Sequence, residues 1–229
     1  MAITAANLDA LQDSTSGLTM ASNSVSPTAE RLVLVCFWVR NMDAAADPGD
    51  PATVIGGGAL AYTKVTSVLY DTRRRLCIYR ARESSYTAGA ITATWLVNVR
   101  GNIHLEEFAG IDTSGTSGSG AIVQSNNATS AGATTLTVTL AAFGSADNAS
   151  FGIFAHNATE LTTPGTDFTE LSDVGATQAG SETEWKLGDT DPVASWATSS
   201  ACAALGVEIK AAAAGVTTRR YSLPLTGVG

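Results

Sequence analysis

At 229 residues, with 45% apolar and 15% charged side chains, the chain carries enough apolar material for a core and fewer charges than an ordinary water-facing surface. A net charge of −8, with only three Lys and with ten Arg scattered apart from one triplet, argues against nucleic acid as a partner, because phosphate binding needs clustered cations. The longest unbroken apolar run, over 32–39, is far too short to cross a bilayer as a helix.

In chain order, residues 1–25 are small and polar with scattered Leu, and read as an N-terminal arm with at most one helical turn over 7–12. The first thirteen residues lack the basic start and apolar middle of a secretion signal, so cytoplasmic assembly with release by lysis is the expectation. Ser26-Pro27-Thr28 opens the folded part, and 31–39, apolar on both faces, predicts a central strand. The loop over 41–51 carries Asp43, Asp47 and Asp50. They could hold calcium by residue type, but the spacing is not that of an EF-hand, and a solvated acidic loop is the expected reading. Gly56-Gly57-Gly58 precedes a strand over 60–70. Residues 71–75 turn, with Arg73-Arg74-Arg75 read as a solvated hairpin loop rather than a basic patch, and 76–82 returns. Ile91, Ala93, Trp95 and Val97 share one strand face, and Arg100-Gly101-Asn102 leads into a further strand over 103–108. After a Gly/Ser/Thr loop over 111–120, strands are expected over 121–124, 134–140, 151–156, 168–171, 182–187, 193–197 and 202–210.

The texture behind these assignments is period two. Leu136-Thr137-Val138-Thr139-Leu140, Thr183-Glu184-Trp185-Lys186-Leu187 and Ala203-Ala204-Leu205-Gly206-Val207-Glu208-Ile209 each alternate, so each should bury one face and wet the other. About ten short strands at this spacing predict an all-β, antiparallel, jelly-roll-like sandwich over 26–210, between an arm over 1–25 and a second arm over 211–229. Nothing repeats at a fixed period, which argues against a solenoid.

Chemistry-bearing residues are few. His104 and His156 lack the ligands or partners of a metal or acid–base site, and are expected as strand histidines with satisfied hydrogen bonds. Glu106 and Glu107 are adjacent on a strand, so they face opposite ways and cannot form a carboxylate pair. Cys36, Cys77 and Cys202 sit in apolar or small-residue runs and are expected as buried free thiols. The three Asn-Ala-Ser/Thr triplets at Asn127, Asn148 and Asn157 match a glycosylation acceptor by chance composition. Trp38, Trp95 and Trp185 fall on apolar phases and predict core positions, while Trp196 and Tyr62 could instead stack on sugar rings. No phosphate loop, dinucleotide fingerprint or nucleophile elbow is present, and no cofactor is expected.

Four segments carry a family resemblance: Ser26-Pro27-Thr28-Ala29-Glu30-Arg31-Leu32, Gly58-Ala59-Leu60-Ala61-Tyr62-Thr63-Lys64-Val65, Glu107-Phe108-Ala109-Gly110-Ile111-Asp112 and Ala204-Leu205-Gly206-Val207-Glu208-Ile209-Lys210. With them the chain resembles a β-sandwich family of tailed-phage virion and prophage proteins, in which Trp often stands at the place of Tyr62. The resemblance implies a jelly-roll-like sandwich displayed on a particle and transfers no catalytic residue. It leads to the expectation of a non-enzymatic virion component. That component would be a capsid decoration protein bound to the major capsid protein, a homo-oligomer acting without nucleic acid or membrane. Tyr221, Leu223 and Leu225 would anchor its C-terminal arm, with Arg219 and Arg220 pairing to an acidic partner. The alternative is a carbohydrate-binding or tail-associated receptor-binding module using Trp196 or a calcium-loaded 43–50 loop. A glycan-cleaving enzyme ranks last.

Overall fold

The computed structural model describes residues 2–175, 179–188 and 190–213. Twelve strands are present in chain order: β1 (Thr4–Ala21), β2 (Leu32–Asn41), β3 (Thr53–Ile55), β4 (Thr63–Tyr70), β5 (Arg74–Arg82), β6 (Thr92–Ala109), β7 (Ile122–Thr137), β8 (Ala149–His156), β9 (Thr163–Pro164), β10 (Thr169–Gly175), β11 (Gly180–Leu187) and β12 (Val193–Ile209). They form two antiparallel sheets, ordered β1-β6-β2-β5-β4 and β10-β11-β8-β12-β7, with β3 added to β6 and β9 to β12. The expected antiparallel sandwich is there. Its wiring is simpler than a jelly roll's, because each sheet is one contiguous half of the chain and the chain passes between sheets only over 110–121.

Why the sheets close on each other is legible in β2. Leu32, Leu34, Cys36 and Trp38 point into the shared interior, where they meet Phe151, Ile153, Leu205, Val207 and Ile209 of the other sheet. Val33, Val35, Phe37 and Val39 point the other way, into a second cluster with Trp95, Ile103 and Leu105. A strand buried on both faces must be apolar throughout, as this one is. The second cluster is roofed by Val25, Val54, Tyr62 and Ile91, and Phe37 meets Trp95 edge to face with ring centroids 5.5 Å apart.

Reading the two sheet orders side by side shows a duplication. Each strand of the second half takes the sheet position of its counterpart in the first: β7 for β1, β8 for β2, and so on to β12 for β6, including the short β9 for β3. Residue-level details repeat as well. β4 skips register between Lys64 and Thr66, and β10 skips between Glu170 and Ser172. The bulged Val65 and Leu171 both pack on the shared core. Ala93-Thr94-Trp95 and Ala194-Ser195-Trp196 occupy matching places, with Thr94 opposite Thr53 of β3 and Ser195 opposite Thr163 of β9. Arg31 N donates to Thr28 O just before β2, and Asn148 N donates to Ser145 O just before β8. The two ends meet across the approximate two-fold in an antiparallel bridge, Ile111 to Ala211.

Several sequence assignments are corrected. Residues 4–21, expected as an arm, are the edge strand β1, paired with β6 along its length. Register shifts between Asn7 and Asp9, between Asp13 and Gly17, and between Gly17 and Thr19 scramble its face pattern and hide the period. Arg100-Gly101-Asn102, expected as a break, lies inside the continuous β6. Gly101 is there because a Cβ would collide with the Trp38 carbonyl oxygen of the neighbouring strand, not because the chain turns. The wet face expected for 203–209 is dry, since Ala204 and Glu208 are as buried as Leu205 and Val207. The segments over 121–124 and 134–137 are likewise one strand, β7, and those over 193–197 and 202–209 are one strand, β12.

Candidate functional site

Three polar assemblies stand out against this apolar frame. The first lies between the sheets. Asn102, His104 and Glu106 sit on the inward face of β6 and meet Ser172, Ser181 and Thr183 of the second sheet. Donor counting fixes its direction. Ser172 and Thr183 both donate to Glu106 Oε1, at 2.8 and 2.7 Å, so Ser172 must accept from His104 Nδ1 at 2.7 Å. His104 Nε2 then accepts from Ser181, 2.8 Å away, whose oxygen in turn accepts from Asn102 Nδ2 at 2.7 Å. Burial pushes His104 down to about 3, keeping it neutral, and pushes Glu106 up to about 7 against the opposing pull of the Thr183, Ser172 and Asn7 hydrogen bonds. Both His104 ring nitrogens and the Glu106 carboxylate are engaged internally, and both side chains are sealed from solvent. The assembly is a polar lock between the two sheets.

Glu107, on the opposite face as expected, accepts from Thr28 N at 2.9 Å and from Arg31 Nη1 at 2.6 Å. Its counterpart in the duplication is Glu208, whose neighbour at the place of Arg31 is Asn148, donating at 2.6 Å. The shorter amide leaves room. A cleft of about 590 Å³ opens here, lined by Asp112, Ser119, Asp147, Asn148, Glu208 and Lys210 among others. Lys210 bridges to Asp112 at 2.7 Å, and this hydrogen-bonded contact, with Ser114 assisting, holds the Asp112 carboxyl down at about 2. The cleft is polar, charged and open, the sort of surface that receives a hydrogen-bonding partner.

The third feature is the β7 edge. β7 pairs only with β12, its side chains are mostly exposed, and no Asp, Glu, Lys or Arg occurs over 121–146. Its counterpart β1 carries Asp9 and Asp13 and three register shifts, the usual devices that blunt an edge.

The residues singled out in the sequence are placed as follows. Arg219, Arg220, Tyr221, Leu223 and Leu225 lie outside the described residues. Trp196 is 5% exposed, donates to Ala133 O and stacks on His156 at 4.7 Å, so it offers no ring face to a sugar; Tyr62 is also buried. Asp43 caps Asn98, while Asp47 and Asp50 pair with Arg75 and Asp50 also with Lys64, so protein donors already occupy the acidic loop. Arg74 and Arg75 of the basic triplet are spent on Asp71 and on that loop. The three thiols are free and buried, as expected. His104 is satisfied at both nitrogens, but His156 keeps an unpartnered Nδ1, a departure from expectation. Sequence reasoning missed the cleft. Its signal was present in Glu107-Phe108 and Glu208-Ile209, matching strand ends that only the duplication brings into relation.

No protein-family model, curated protein or solved structure matches the chain.

Proposed function

We propose that this chain is a non-enzymatic attachment protein of a tailed-phage virion, a capsid decoration protein that binds the major capsid shell and works as a symmetric homo-oligomer. The observation that carries the reading is the β7 edge, a long strand paired on one side only and without one charge, on a molecule of net charge −8. Like-charged copies, or a copy and an acidic shell, approach most easily where the charge is absent, and an open edge supplies a ready row of backbone donors and acceptors. The interior is locked rather than poised: the His104–Glu106 assembly is consumed by its own hydrogen bonds. Together with the four family-like segments, these features support a rigid brick whose surface does the work. Capsid occupancy measured with the full chain and with residues 215–229 deleted tests the reading. Occupancy that falls on deletion supports docking through the C-terminal arm, and unchanged occupancy removes that arm from the account.

The cleft at Asp112 and Lys210 favours a second reading, a glycan-binding module, since carboxylate, amide and ammonium groups together suit sugar hydroxyls. Glycan-array binding lost in Asp147→Ala would favour it over capsid attachment.

A further inference from the structure

The outer face of the second sheet holds a charge imbalance that the first sheet does not share. Asp173 of β10 and Glu182 of β11 stand directly opposite each other in register, so their side chains emerge side by side on one face. Glu182 is 0% exposed, and neither of its carboxyl oxygens has a hydrogen-bond partner. Asp173 Oδ2 accepts from Thr162 N at 2.8 Å, but its Oδ1 is buried and unpartnered. Glu184, next along the same face, is fully used, accepting from Gly165 N at 2.7 Å and Val193 N at 2.9 Å. The charged groups that act on Glu182 are Glu184, Asp173, Glu170 and Glu106, all acidic. Lys186, the cation of β11, is turned to Asp167 and the Phe168 ring.

The duplication supplies the comparison. Ser67 and Cys77 hold the matching places in the first sheet, again opposite each other. There the nearby acid, Asp50, is balanced by Arg75 at 3.1 Å and Lys64 at 2.7 Å. In the second sheet the place of Lys64 is taken by Glu170 and that of Arg75 by Gly180. Two protein cations have gone, and Glu170, Asp173 and Glu182 stand where Lys64, Ser67 and Cys77 do in the first sheet. A buried carboxyl is neutralised by a proton, a counter-charge or direct ligation.

We propose that a calcium ion supplies that charge, bound by Glu182 through both carboxyl oxygens and by Asp173 through Oδ1, beneath the segment over 157–163. Calcium suits oxygen donors and completes its shell with hydroxyl, carbonyl and water oxygens. Thr162, which donates to Asp173 through its backbone and contacts His156 Nε2 through its hydroxyl at 3.1 Å, is the nearest roofing residue. Among the described residues no third His, Cys, Asp or Glu joins Asp173 and Glu182 around a common centre, so the rest of the shell would have to be neutral oxygens. The proposal is independent of the virion reading.

The test uses the full chain, stripped with chelator and titrated with calcium, magnesium and terbium. Calcium is expected to raise the thermal midpoint in a dose-dependent way. Terbium should give Trp-sensitised luminescence, and calcium should quench it by displacement. Glu182→Gln and Asp173→Asn should each lower calcium affinity tenfold or more, while Asp147→Asn, on the distant cleft, should leave it unchanged. If wild type shows neither the midpoint shift nor the luminescence, the proposal is overturned, and a shared proton is the neutralising species. Equal calcium response in wild type and Glu182→Gln would overturn it too, assigning the effect to diffuse binding by the acidic surface.

Discussion

Glu106 offers a quantitative check on the polar lock. Its ordinary carboxyl value of 4.5 is raised to about 7 by burial in the folded protein. The folded state therefore holds the proton more tightly than the unfolded chain does. The sign follows directly: the group's contribution is fully present below pH 4.5, declines as pH rises, and is lost through pH 7, beyond which a buried carboxylate must be tolerated. A displacement of that size corresponds to about 3 kcal/mol at roughly 1.4 kcal/mol per pH unit. Glu106→Gln removes the titration and keeps the shape; its carbonyl can still accept from Ser172 and Thr183, and Asn7 can turn its amide oxygen to the new NH2. Urea unfolding at intervals from pH 4.5 to 8 gives the stability difference between wild type and variant. Glu184 and Asp173 are raised as well and titrate in both proteins, so their contributions cancel to first order, while Glu182, which also feels the Glu106 charge, is relieved in the variant and adds to the difference in the same direction. The difference should move against wild type by about 3 kcal/mol across the interval. A flat difference, or one that moves in favour of wild type with rising pH, would refute the reasoning.

Other outcomes follow from single contacts. Trp38→Phe removes the Trp38 Nε1 donor to the buried Tyr70 hydroxyl, a 2.5 Å bond, and should cost about 1–3 kcal/mol by equilibrium unfolding, beyond the smaller ring's lost packing. Arg31→Ala leaves Glu107 with the Thr28 hydrogen bonds among the described residues and should destabilise by about 1–3 kcal/mol by equilibrium unfolding. Paired substitutions Asn127→Lys and Thr129→Lys, on exposed β7 positions, should leave the thermal midpoint within a degree or two and shift any oligomer seen by light scattering toward monomer. An oligomer unmoved by them does not use this edge.

How far these features could be read in advance depended on what disguised them. β2 and β8 were legible because a strand buried on both faces leaves a continuous apolar signal, and Trp95 because its neighbours alternate cleanly. β1 was not, since its bulges reset the alternation three times. Gly101 separated two expected strands because a close approach to the Trp38 backbone and the interruption of a strand both select glycine. The duplication escaped notice because what persisted was strand order and bulge position, while Lys64 became Glu170 and Cys77 became Glu182. Glu182 and Glu184 were expected on a wet face; the loop over 157–168 covers them, and no local pattern announces a roof supplied from elsewhere in the chain. That Glu106 and Glu107 face opposite ways was foreseen from strand geometry alone, but which of them faces inward was not, nor were their partners, 66 or more residues away in sequence.

Attachment to a shell is the central claim, and imaging tests it most directly. Purified chain mixed at saturation with empty phage capsids and examined by electron cryomicroscopy should show two-sheet density at symmetric positions on the outer surface, contacting the major capsid protein through the β7 side or the chain's C-terminal end. Bare capsids under those conditions, alongside a glycan array that the chain binds through the Asp112–Lys210 cleft, would contradict it.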